Sequence, residues 1–131
     1  MPALNFAFTK MVVADLAAAE HFYTSTLGLT RLTYIEFGEG SHALKEVILS
    51  IAGADPQVAR LNLIHYPSRP TPAPGEAIFG FMVDDIEAAL EAMIAAGGQI
   101  AVPLQDVPEH SLRLAFIADP EGHMVEILQA L

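Results

Sequence analysis

Between Phe6 and Gly28 the hydrophobic rhythm changes once. "FAFTKMVV" (6–13) carries apolar residues at strand density, and after Asp15 residues 16, 19, 23 and 27 recur at spacings of three and four until Gly28. That pattern predicts a strand, an Asp N-cap, an amphipathic helix facing a core with those four positions, and a glycine stop. The same grammar returns at residues 82–98 with a constant offset of 70. Val13-x-Asp15-Leu16 falls on Val83-x-Asp85-Ile86, Ala18-Ala19 on Ala88-Ala89, and Leu27-Gly28 on Gly97-Gly98. The predicted core positions therefore repeat as 86, 89, 93 and 97.

The ends of the two halves also correspond. "RLNLIHYP" (60–67) matches "MVEILQAL" (124–131) at an offset of 64, so the first half is longer by 6 residues. The "GEGSHALKE" and "AGADPQVA" loops are the places for them. Between helix and final strand, "TRLTYIEF" (30–37) and "EVILSIA" (46–52) read as strands in the first half, "QIAVPL" (99–104) and "SLRLAFIA" (111–118) in the second. The fold class is α+β, two tandem βαβββ modules. The expected division is a first module at 1–68, a Pro-rich linker at 69–76 and a second module at 77–131, together one domain. "DPEG" (119–122) has the residues of a type I turn.

Composition narrows the function classes. The chain has 131 residues, 53% of them hydrophobic, but no apolar run approaches the roughly 20 residues of a membrane span. Apolar surplus without a span points to a ligand cavity and to an oligomer interface, expected here as a homodimer. A net charge of −10 with six scattered basic residues argues against nucleic acid. Zero cysteines exclude disulfides, thiolate metal sites and cysteine nucleophiles. "MPALNFAF" lacks the features of a signal peptide, so the expected location is cytoplasmic. The five histidines show no ligand spacing, and His21 and His123 are expected to be exposed. No phosphate-binding glycine loop or G-x-S-x-G elbow occurs.

The duplication, the helix motif (Val13, Asp15, Leu16, Ala19, Phe22, Tyr23, Leu27, Gly28) and the closing motif (Asp119, Pro120, Glu121, Gly122, Glu126, Ile127) resemble the vicinal oxygen chelate superfamily. That group includes glyoxalase I, bleomycin-resistance proteins, fosfomycin-resistance enzymes and extradiol dioxygenases. The resemblance runs from about Phe6 to Leu128. It implies curled sheets forming a cup-shaped cavity. In catalytic members it also implies a divalent metal held by one side chain from the first and last strand of each module, acting as a Lewis acid.

Mapped onto this chain, those four positions read Phe8, Asn62, Ile78 and Glu126. Two of them cannot coordinate, and a carboxylate plus an amide falls short of the three protein ligands of a catalytic zinc site. No metal and no other cofactor is expected at the usual site. Strand alternation turns Phe6, Phe8, Lys10, Asn62, Ile64, Ile78, Met82, Glu126 and Leu128 toward the cup as candidate ligand-binding residues. The leading expectation is a protein similar to bleomycin-resistance proteins, binding a small organic molecule on apolar walls. The alternative is a glyoxalase- or lyase-type enzyme with Glu126 as catalytic base. It would be metal-free or use Zn, Ni, Mn or Fe at a non-standard site.

Overall fold

The computed structural model describes residues 1–131, which form two compact units, Met1–Pro72 and Ala73–Leu131. Both are βαβββ, so the protein is α+β with one four-stranded mixed sheet per unit.

The first unit comprises β1 (Phe8–Val12), α1 (Leu16–Leu27), β2 (Leu29–Phe37), β3 (Leu44–Ile51) and β4 (Arg60–His65). Its sheet order is β1-β4-β3-β2, with β1 parallel to β4 and the other pairs antiparallel. The parallel pair needs a long crossover, which α1, β2 and β3 supply. Asp15 caps α1 by accepting from the Ala18 N–H at 3.0 Å, and Gly28 ends it with φ +68°, a left-handed conformation that glycine adopts without strain. Ala19, Phe22 and Tyr23 of α1 are buried, as are Met11, Leu63, Val47 and Leu49 of the sheet. The rings of Phe22 and Tyr23 meet edge to face, 5.1 Å between centroids.

The second unit repeats the plan with β5 (Ile78–Met82), α2 (Ile86–Ala95), β6 (Gln99–Val107), β7 (Leu112–Ala118) and β8 (Met124–Ala130), in the order β5-β8-β7-β6. Asp85 caps α2 through the Ala88 N–H, and the Gln129 side chain accepts from the Ile86 N–H at 2.8 Å, tying the helix start to β8. Ile86, Leu90 and Met93 are buried, with Ala115, Ile117, Val125 and Ile127 on the sheet. Gly98 lies where a side chain has no room: a Cβ would stand 2.8 Å from the Met93 carbonyl oxygen.

The structure corrects several expectations. Gly97 lies beyond α2 and is exposed, and Ala89 is only half-buried, so the core stripe of α2 is 86, 90 and 93. A ten-residue helix ends before the fourth predicted position. β6 continues past residue 104 to Val107, running through Pro103. It is an edge strand with two register shifts, and there a missing N–H costs no ladder bond. His123 is buried rather than exposed. The 6 extra residues are shared: the offset between halves falls from 70 at the second strands to 68 where β3 and β7 start and 64 where β4 and β8 start. Both candidate loops take part.

Candidate functional site

In each unit one sheet face carries the helix and the other does not, and strand alternation sorts the side chains. Arg31 of β2 bonds Glu20 of α1, and His65 Nδ1 lies 2.9 Å from the Val13 carbonyl oxygen, which places the odd residues of β4 on the helix side. Gln129 does the same for the odd residues of β8. The even residues of β1, β4, β5 and β8 therefore share the helix-free faces, and these hold the sequence-predicted positions from Phe8 onward.

On the first unit's helix-free face, Phe8 stands opposite Arg60, Lys10 opposite Asn62 and Ile64 opposite Val12. Phe8 is 42% exposed, with the Lys10 ammonium 5.5 Å and the Arg60 guanidinium 5.6 Å from its ring centre. Asn62 is 3% exposed, and its Nδ2 donates to Glu46 Oε2 at 3.2 Å. Lys10 Nζ lies 3.1 Å from the same oxygen. Glu46 itself is buried. Sequence reasoning missed Glu46. The signal was the alternation of Glu46, Ile48 and Ser50 along β3, but only the pairing of Ile48 with Asn62 shows which face they take. Phe6 lies before β1 and projects with 75% exposure, while its carbonyl accepts from the Ala59 N–H.

On the second unit's helix-free face, Glu126 of β8 lies between Gly80 of β5 and Phe116 of β7. Ile78 pairs with Met124, and Met82 with Leu128. Ile78 and Met82 are exposed, Glu126 and Leu128 half-buried. Arg113 is the unit's one Lys or Arg, and Asp106 at 2.9 Å and Glu87 at 3.3 Å occupy it. No cation of its own unit is left for Glu126.

The donor set does not suit the divalent ion the fold family implies. Phe8 and Ile78 offer carbon, the Asn62 amide nitrogen is held by Glu46 so that its neutral Oδ1 is the one donor it could offer, and Lys10 supplies a positive charge to the Glu46 carboxylate. No group of three or more His, Asp or Glu comes together in a way that could hold a metal.

A cleft of about 430 Å³ opens on the helix side of the first unit, lined by Asp15, Glu20, Arg31, Tyr34, Lys45 and His65 among others. Several of its charged groups are spent on partners. Arg31 grips Glu20 through two nitrogens and holds that carboxyl below the usual carboxylate range; the Tyr34 hydroxyl donates to Glu36 at 2.6 Å, which pushes its pKa up.

Residues 5–127 match the family profile of the Glyoxalase/Bleomycin resistance protein/Dioxygenase superfamily. The chain belongs to this superfamily. A protein of Vibrio parahaemolyticus named "Probable lactoylglutathione lyase" is 32% identical over 124 residues, covering 92% of this chain and 87% of its own length. A glyoxalase family protein from Bacillus cereus superposes with a TM-score of 0.87 at 21% identity, over 100% of this chain and 97% of that one. TnmS3, an antibiotic-binding protein from Streptomyces sp. CB03234, superposes with a TM-score of 0.72 at 23% identity, over 100% and 99%. Membership of the glyoxalase superfamily accounts for the duplicated unit.

Proposed function

We infer that the protein binds small organic molecules on the helix-free sheet face of each unit without a resident metal. On the first unit Phe8 supplies apolar contact and Asn62 a directional hydrogen bond; on the second, Ile78, Met82 and Leu128 supply the apolar contacts and Glu126 the hydrogen bond. The observation that carries this reading is the combination, on faces free of a helix, of exposed apolar side chains with a few fixed polar groups. Ligand sites have that composition. The likeness to an antibiotic-binding protein supports a binding role for the fold.

Titration with 2-naphthol before and after dialysis against EDTA tests this. The expected result is a saturable melting shift that survives chelation and shrinks in Glu126→Gln. A stoichiometric Zn, Ni, Mn or Fe content together with loss of binding on chelation would overturn it.

A second reading, a metal-free lyase with Glu126 as base, is favoured by the half-buried placement of that carboxylate on the helix-free face and by the 32% identical relative. Formation of lactoylglutathione by the EDTA-treated protein, abolished by Glu126→Gln, would select the enzyme over the binder.

A further inference from the structure

The Asn62 amide has a fixed sense. Glu46 Oε2 can only accept, so the amide end facing it at 3.2 Å is the NH2 group, and Lys10 at 3.1 Å holds the carboxylate in place. The other end, Oδ1, is buried and has no hydrogen-bond partner. A buried acceptor without a donor costs free energy until a donor meets it. Glu46 belongs to β3, two residues from Ile48, the register partner of Asn62, so the sheet itself sets this orientation.

We propose that Glu46 is a positioning residue that locks Asn62 as a hydrogen-bond acceptor, so that the ligand of this face bears an N–H or O–H donor. The proposal rests on the binding reading above and adds a selection rule to it. A ligand offering only an acceptor, such as an ether or ester oxygen, would leave Oδ1 unpaired and confront it with a second lone pair. Substituting glutamine at position 46 supplies an N–H to that side of Asn62 and frees the amide to turn over.

Matched pairs differing by one donor provide the test: indole against benzofuran, and 2-naphthol against 2-methoxynaphthalene. They are titrated into the whole protein, followed by calorimetry and by methyl and side-chain amide NMR signals. The expected result is a preference of about tenfold for the donor member of each pair. The Asn62 side-chain NH2 signals should stay near their free positions, since that group remains on Glu46. In Glu46→Gln the preference falls to about twofold or less, and in Asn62→Leu it disappears while the parent ring still binds. Equal affinity within each pair, with the helix-free-face methyl signals perturbed, would overturn the selection rule and leave the binding reading standing. A tenfold preference that persists in Glu46→Gln would overturn the role of Glu46. Absence of binding by all four compounds would overturn both readings.

Discussion

Replacing Phe22 by alanine is expected to destabilise the protein by about 3–5 kcal/mol, the range for truncating a buried Phe. Phe22 is fully packed on α1, edge-on to the equally buried Tyr23, so its removal leaves a cavity under the helix that neighbouring rotamers cannot fill. Against a total stability of about 5–15 kcal/mol such a loss threatens the first unit's fold. The informative control is Phe8→Ala. Phe8 is also an apolar aromatic in the first half, but it is exposed on the helix-free face. Its truncation is expected to cost less than about 1 kcal/mol of stability while weakening binding of 2-naphthol. Denaturant unfolding of both variants, read beside a binding isotherm, separates the residue that holds the fold from the one that meets the ligand. Equal stability losses in the two variants would contradict the assignment of faces.

Asp119→Ala is the second substitution with a large expected effect. Asp119 is buried at the β7–β8 turn, where its Oδ1 accepts from the Glu121 N–H at 3.0 Å and the His123 N–H at 2.9 Å. The turn closes with the Gly122 N–H on the Asp119 carbonyl at 2.9 Å, and Asp119 N–H reaches the His123 carbonyl at 2.9 Å. Alanine leaves a buried backbone donor without a partner, a loss of about 2–3 kcal/mol when both side-chain bonds are counted. Asparagine keeps an oxygen in the same place, so Asp119→Asn is expected to recover most of that loss. Thermal unfolding of the pair checks it. A fall in Asp119→Asn as large as in Asp119→Ala would mean that charge, and not the turn bonds, is what the site requires.

The features that sequence exposed were those set by local periodicity. Caps at Asp15 and Asp85, the stop at Gly28, the turn at 119–122 and the βαβββ duplication all follow from residues a few positions apart. The even-numbered strand positions from Phe8 to Leu128 were legible for the same reason, because alternation follows once one residue of a strand is oriented. What escaped depends on partners distant in the chain. Glu46 became visible only through the register of β3 on β4, and the burial of His123 through the turn that Asp119 organises. β6 ran through Pro103 because it is an edge, a property of sheet order that no window of sequence contains. Leu90 took the place of Ala89 in the core stripe, and residue 97 fell outside it because α2 ends at Ala95.

The central idea is that a ligand meets, in each unit, the sheet face that no helix covers, on carbon and amide groups and without a resident ion. Methyl-resolved NMR of chelator-treated protein during titration with 2-naphthol addresses it directly. The account predicts saturable shifts at Ile78, Met82 and Leu128 on the second unit's helix-free face, with Ile86, Ile117 and Ile127 on its helix side nearly still. Shifts concentrated on the helix-side methyls, or a response that appears only after a divalent metal is added back, would contradict it.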